Sequence, residues 1–317
     1  MNDSGYREQI KSAAVVGAGQ MGHGIALVFA RAGIEVRLID VSEDVLDRAT
    51  RLIEASLGVM SACGKLGQDE TSAIIARIGT TTDLEDGARG VDFVVEAVPE
   101  VPEVKKELFS RLDALCPEDV IIASNTSGLD IFEFAEVERP QRLLIAHWFL
   151  PPHIIPLVEV VPGAETSPEA VSATVALLER LGKAPVAMKG FTRAFIVNKI
   201  QNMISLAVFE LLGSGLVTPE DIDRAVKSSL GIRLPVVGVV QSLDFTGLDL
   251  VLDLMKSYGL TNRFIADKVE AGHLGAKTAR GIYDYGERSE AEILAERDRR
   301  YLQMLDRLEE IGAFEPV

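Results

Sequence analysis

The chain has 317 residues, 47% of them hydrophobic, which provides for a sizeable core, points to two domains by length and excludes general disorder. Lys and Arg number 32 against 48 Asp and Glu, a net charge of −16, and such a surface repels phosphate backbones, so without a local basic patch no nucleic-acid partner is expected. Two cysteines, Cys63 and Cys116, cannot make a disulfide framework and fit a reducing cytoplasm, while four histidines without close pairing argue against a zinc site, so no metal is expected.

The first eight residues are polar and carry no leader-like apolar run. No uninterrupted apolar stretch of about 18 residues follows, so no membrane partner is expected. Ser12 to Val16 is a short apolar run suited to a buried parallel strand. Gly17-Ala18-Gly19-Gln20-Met21-Gly22 comes next, then a helix from His23 to Ala30. A second strand, Glu35 to Asp40, ends on an acid 18 residues after Gly22. Gly17 permits the tight strand-to-helix turn, Gly19 lets the backbone approach a pyrophosphate, and Gly22 lets helix and strand pack closely. The free N–H groups at the helix start face the phosphates. Asp40 would accept hydrogen bonds from both ribose hydroxyls and repel a 2′-phosphate, so the cofactor expected is NAD rather than NADP. His23 reads as a helix residue without a chemical role.

Between Val45 and Arg77 lies a longer amphipathic helical stretch, broken near Gly64 and Gly67, which could be a helical hairpin. Val91 to Val98 is a strand, Val104 to Leu115 a helix, and Val120 to Asn125, Leu143 to His147 and Leu157 to Val161 three more strands. Strands alternating with helices imply an α/β fold, a Rossmann-type doubly wound sheet with right-handed crossovers. After about Gly190 the strand signals stop. Phe195 to Leu212, Pro219 to Leu230, Leu248 to Ser257 and Ala291 to Ile311 have helical periodicity, with Thr218 as N-cap and Pro219 in the first turn. The expected domains are therefore 1–190, binding NAD, and 191–317, a smaller all-α unit for substrate and dimerisation. The final helix is amphipathic and charged, and suits a surface helix better than a nucleic-acid arm.

His147 follows an apolar strand, and Glu159 lies 12 residues on, inside Leu-Val-Glu-Val-Val. A carboxylate flanked by valines in a buried strand costs several kcal/mol unless it has a partner, and a histidine at a neighbouring strand end supplies one. In such a dyad the carboxylate orients the imidazole and stabilises its cation, while the other ring nitrogen exchanges a proton with substrate. Oxidation of an alcohol by NAD needs that base, and an imidazole titrating near 6.5 is suited to it. A core histidine and a solvated glutamate is the bland alternative.

Over nearly its whole length the sequence resembles the 3-hydroxyacyl-CoA dehydrogenase family, including 3-hydroxybutyryl-CoA dehydrogenases. The resemblance rests on Val-Val-Gly-Ala-Gly-Gln-Met-Gly at 15–22, Val-Glu-Ala-Val-Pro-Glu at 95–100 and Ala-Ser-Asn-Thr-Ser at 123–127. It continues through His147-Trp148-Phe149 with Leu157-Val158-Glu159-Val160, then Phe195-Ile196-Val197-Asn198-Lys199, Glu220 to Asp223, Gly247-Leu248-Asp249 and Lys277 to Tyr285. It implies an oxidoreductase of fatty acid metabolism that transfers a hydride between NAD and an L-3-hydroxyacyl-CoA or 3-hydroxy acid, working as a homodimer through the helical domain. His147 matches the catalytic base and Glu159 its partner. Ser127 and Asn198 match residues that hold the reacting oxygen and orient the dyad. Glu100, Lys105 and Asn125 match cofactor contacts, and Gln20 and Met21 lie within the phosphate loop. Lys105 by itself suggests an anchor for ribose or pyrophosphate, and Asn198 a buried polar contact among Phe195, Ile196 and Val197.

Three departures stand out, two bearing on substrate and one, at Arg193-Ala194, on the interdomain hinge. The family places Asn three residues after the catalytic His; here that position is Leu150, by natural divergence or introduced change, which removes a polar handle and points to altered chemistry such as ketone or amine substrates. The usual Pro-Gly before the Phe-Ile-Val-Asn run is Arg193-Ala194. The Gly-Tyr-Pro-Met-Gly-Pro-like stretch of short-chain acyl-CoA members is Gly231-Ile232-Arg233-Leu234-Pro235-Val236, closer to relatives acting on free acids such as L-gulonate or carnitine. Arg233 is either a bidentate carboxylate clamp or a snorkelling helix cap. A reading of another class, a non-catalytic NAD-binding protein like the lens crystallins of this family, is opposed by the His147–Glu159 pair.

Overall fold

A computed structural model describes residues 10–67 and 69–315. They form two compact units that divide between Met203 and Ile204, inside a helix.

The first unit alternates strands and helices. In chain order these are β1 (Ser12–Val16), α1 (Gly22–Arg31), β2 (Glu35–Ile39), α2 (Glu43–Ala62), α3 (Glu70–Ile75), β3 (Ile78–Thr81), α4 (Leu84–Ala88) and β4 (Phe93–Glu96). Then come α5 (Pro102–Leu115), β5 (Ile121–Ser124), α6 (Ile131–Phe134), β6 (Leu143–Trp148), β7 (Leu157–Pro162), α7 (Pro168–Arg180) and β8 (Ala184–Ala187). The eight strands make one sheet in the order β3-β2-β1-β4-β5-β6-β7-β8. Every neighbouring pair is parallel except β6 and β7, which the eight-residue connection 149–156 turns back as an antiparallel pair.

Both faces of the sheet are buried, which is why its inner strands read as unbroken apolar runs. Successive β1 residues feed opposite cores. Ala13 and Val15 pack with α1, α2 and α7, while Ala14 and Val16 pack with α5 and with Ile39. The outer strands β3 and β8 are half exposed and carry no such run; the sequence reading found neither. Pro185 is tolerated in β8 because an edge strand leaves one side of its backbone unpaired. The stretch 45–77 is α2 and α3 with a break at 63–69, and α5 begins at Pro102, two residues before the expected Val104.

The units divide within α8 (Val197–Ser214). The second unit continues with α9 (Pro219–Lys227), α10 (Leu230–Thr246), α11 (Leu248–Ser257), α12 (Arg263–Glu270) and α13 (Glu290–Glu310). α9 starts as expected, with Thr218 and Asp221 forming a reciprocal cap over Pro219. α10 and α12 lie in stretches to which no helix was assigned. α10 is broken at Gly238, whose φ of 68° is not helical, three residues after an internal proline, so its periodicity fails as a sequence signal. Near the end of α10 the buried Asp244 accepts hydrogen bonds from the N–H groups of Ile282 and Tyr283 and from the Tyr285 hydroxyl, gathering the Lys277-to-Tyr285 motif around one carboxylate. No single helix among the described residues is long and apolar enough to cross a membrane, and no group of three or more His, Cys, Asp or Glu among them could hold a metal ion.

Candidate active site

The glycine loop between β1 and α1 has three glycines with three physical reasons. Gly17 has φ of 100°, and a Cβ there would lie 2.5 Å from the Ala97 carbonyl oxygen. A Cβ on Gly22 would lie 1.7 Å from the Gly17 carbonyl oxygen, so any larger residue would force helix and loop apart. Gly19 differs: nothing of the protein lies within 4 Å of its would-be Cβ. The fold does not need that glycine, and the open space suits a ligand that must approach the backbone closely, as a dinucleotide pyrophosphate does.

Gly17, Gly19, Gln20 and Met21 line one side of a groove of about 1120 Å³ that also takes in Asp40, Glu100, Asn125 and Ser127. Asp40, at the end of β2, accepts from the Ala18 N–H at 2.8 Å through one oxygen and from the Ser42 N–H at 3.2 Å through the other. Its lone pairs are only partly used, so a carboxylate held by backbone remains available to ribose hydroxyls. These residues fit NAD. His23 bonds the Gly19 carbonyl through Nδ1, a contact that steadies the loop.

Gly22 and Lys105 are absent from the groove wall. Gly22 is there for packing, but Lys105 corrects an expectation. Its ammonium is buried, 2.6 Å from Glu96 Oε1 and 3.1 Å from Glu100 Oε2, with the Val98 carbonyl at 3.3 Å. Lys105 is thus buried rather than on the surface, and it holds Glu100. Glu100 in turn accepts from the Thr126 hydroxyl at 2.8 Å and the Ser127 N–H at 2.5 Å, fixing the loop that carries Ser127.

Glu96 is the residue the sequence reading passed over. Fully buried at the end of β4, it accepts from Lys105, the Val98 N–H and the Ser124 hydroxyl. Burial pushes its carboxyl above the ordinary range, against the opposing pull of Lys105, Ser124 and Val98. The signal was present: an acid inside Phe-Val-Val-Glu demands a partner for the same reason that Glu159 does. Asn125, next to Ser124, accepts from the Trp148 N–H at 2.8 Å and ties the end of β5 to the strand carrying His147.

His147 and Glu159 stand opposite each other in the β6–β7 register, and His147 Nδ1 lies 2.8 Å from Glu159 Oε2. Both side chains are buried, with Phe149 and Phe195 rings 4.5 and 5.2 Å from the imidazole, centre to centre. The second oxygen of Glu159 accepts from the Ile196 N–H at 3.0 Å and the Val197 N–H at 2.9 Å, at the start of α8. Burial raises the Glu159 carboxyl, but the His147 hydrogen bond and these two amides outweigh it and hold the group below the ordinary carboxylate range. The chain reaches this position through Ala194 and Phe195, both left-handed with φ of 64° and 50°. Strained backbone of this kind is held only where surroundings enforce it. Asn198, one residue further, donates from Nδ2 to the Ser127 carbonyl at 3.1 Å. Ser127, His147, Glu159 and Asn198 are thus linked within the first unit.

Leu150, three residues after His147, is half exposed. Arg233 lies in the second unit and uses Nε and Nη2 on Ser229, one helical turn earlier.

The family model described as 3-hydroxyacyl-CoA dehydrogenase, NAD binding domain, matches residues 12–191, and that of the C-terminal domain matches residues 195–285. The chain is 38% identical to the probable 3-hydroxybutyryl-CoA dehydrogenase of Bacillus subtilis, over 89% of this chain and 99% of that one. It is 32% identical to the 5-formyl-3-hydroxy-2-methylpyridine 4-carboxylate 5-dehydrogenase of Mesorhizobium japonicum, over 92% and 96%. Among solved structures, a 3-hydroxyacyl-CoA dehydrogenase from Archaeoglobus fulgidus aligns with TM-score 0.77 and 30% identity, over 96% of this chain and 99% of that one.

Proposed function

This chain belongs to the 3-hydroxyacyl-CoA dehydrogenase family and is an NAD-dependent oxidoreductase acting on CH–OH groups, and from that premise we propose that it interconverts an L-3-hydroxyacyl-CoA and its 3-keto form with His147 as general base. The observation that supports this most is the buried 2.8 Å contact between His147 Nδ1 and Glu159 Oε2.

A carboxylate can only accept, so Glu159 fixes the tautomer with the proton on Nδ1 and leaves Nε2 as the basic nitrogen. Nε2 takes the proton of the substrate hydroxyl, and the imidazolium formed is stabilised by the charge of Glu159 behind it. Nicotinamide bound in the groove supplies the two-electron acceptor. Ser127 and Asn198 hold the reacting oxygen, their loop and helix joined by the Asn198–Ser127 hydrogen bond. Phe149 and Phe195 keep water from the imidazole. In the reducing direction the imidazolium returns the proton to the carbonyl oxygen.

A second reading, oxidation of a free hydroxy acid, is favoured by the likeness to a relative named for a free carboxylate. The Mesorhizobium relative is named for a pyridine carboxylate, and the Gly231-to-Val236 stretch departs from that of short-chain acyl-CoA members. NADH consumption with acetoacetyl-CoA and with acetoacetate, side by side at equal concentration, separates the two. Faster turnover of the thioester supports the first reading, and faster turnover of the free acid the second. His147→Ala should lower kcat by about 10²–10⁴ while NADH binding is kept; full turnover in this variant would remove His147 from its role.

A further inference from the structure

A second cavity of the first unit, about 700 Å³, shares no lining residue with the cofactor groove. Arg31 comes to it from the end of α1, Lys65 from the α2–α3 turn, Arg77 from the start of β3, and Arg180 and Lys183 from the end of α7 and the turn beyond. Glu70 is the one acid on the wall, and its Oε2 already accepts from the Gly67 N–H. Five basic side chains therefore face one carboxylate, on a chain whose net charge is −16.

Four of the five cations, all but Lys183, are largely free of protein partners among the described residues. The side chains of Arg31 and Lys65 have neither an ion pair nor a hydrogen bond among the described residues. Arg77 and Arg180 each donate to a single backbone carbonyl, Ala73 and Ile10, leaving most of each guanidinium fork free. Lys183 is half-buried, and its ammonium is pulled down to about 8 by burial and by Arg31. Burial, with His23, Lys183 and Arg31, also lowers the nearby His153. Like charges gathered around one groove repel one another until a counter-ion occupies it, and a cleft lined mainly by one sign of charge focuses an attractive field on anions. Guanidinium forks match the paired oxygens of phosphate and carboxylate. The apolar stretches of wall, Val28, Ile74 and Leu181 among them, accommodate a carbon skeleton.

We propose that this cavity is a binding site for a small multivalent anion, a phosphate ester or a polycarboxylate, separate from the cofactor groove. Lys183 connects it to the active-site strand. Its ammonium donates to the carbonyls of Pro152 and Ile155 in the loop after His147, and lies 5.3 Å from the centre of the Trp148 ring. Trp148 is the sole tryptophan of the chain and so reports occupancy of the cavity.

The full chain, held saturated with NAD so that the groove is filled, is titrated with pyrophosphate and separately with citrate at constant ionic strength, following Trp148 fluorescence and heat of binding. Saturable binding is expected, weakened roughly tenfold or more by the exposed double variant Arg31→Ala/Lys65→Ala, since each charged contact to an anion is strong, and unchanged by Arg263→Ala in the second unit. Tighter pyrophosphate marks a phosphate ester, and tighter citrate a polycarboxylate. Absence of saturable heat, equal affinity in the double variant, or binding that appears only when NAD is withheld would overturn the proposal.

Discussion

His147 and Glu159 face each other across the only antiparallel strand pair in the described sheet, and α8 closes the arrangement by pointing two backbone N–H groups at the oxygen of Glu159 that His147 does not use. The carboxylate is therefore held from two directions and has little rotational freedom. Its depressed titration has a consequence for stability. A carboxyl lowered on folding stabilises the native state at pH values above its unfolded value, about 4.3 for Glu, and that contribution is lost as pH falls through the lower folded value. The stability gap between the wild type and Glu159→Gln should be widest near neutral pH and close on acidification. Urea unfolding at a series of pH values checks this; a gap that widens toward acid would contradict the sign.

Lys105 and Glu96 form an ion pair with no solvent contact. Lys105→Met leaves the Glu96 charge buried beside only the Ser124 hydroxyl and one amide, and should cost about 3–5 kcal/mol in unfolding free energy. Adding Glu96→Gln should restore a large part of that loss, because no uncompensated charge remains. Denaturant midpoints of the single and double variants form the test, and simple additivity would refute the coupling.

Ala194 has φ of 64° where the family resemblance leads one to expect glycine. Left-handed backbone costs a residue with a Cβ about 1–2 kcal/mol, partly offset by the larger entropy that glycine loses on folding. Ala194→Gly should therefore stabilise the protein by about 0.5–1 kcal/mol, visible as a rise in the thermal midpoint. A fall would mean that the conformation is not strained.

We expect the chain to form a homodimer through its helical unit. Leu206, Phe209 and Leu216 are 60%, 67% and 85% exposed, an apolar display that water does not favour. Sedimentation equilibrium at micromolar concentration should give twice the monomer mass, and Phe209→Asp should shift the population toward monomer. A monomer in the wild type would end this expectation.

Much of the first unit is legible in the sequence because its signals are local. An apolar run, three glycines and a terminal acid lie within one βαβ unit, and each glycine has a reason tied to its immediate neighbours. The dyad is legible for a different reason: a charge inside Leu-Val-Glu-Val-Val cannot be buried alone. Applied to Phe-Val-Val-Glu, the same rule would have found Glu96. The edge strands β3 and β8 escaped because half-exposed strands carry no continuous apolar run, and α10 because Pro235 and Gly238 break its period.

By itself the sequence determined the inner strands and the helices between them, the dinucleotide loop and the need of Glu159 for a partner, since all three follow from neighbours in the chain and the cost of burying charge. Only the tertiary structure decided where the charges go. Lys105 looks like a surface anchor until β4 and α5 pack and bury it between Glu96 and Glu100. Five basic residues spread from Arg31 to Lys183 are unremarkable in a chain of net charge −16 until the folded first unit brings them to one cavity. Electrostatic energy depends on distance and on the surrounding dielectric, and neither exists until the chain has folded.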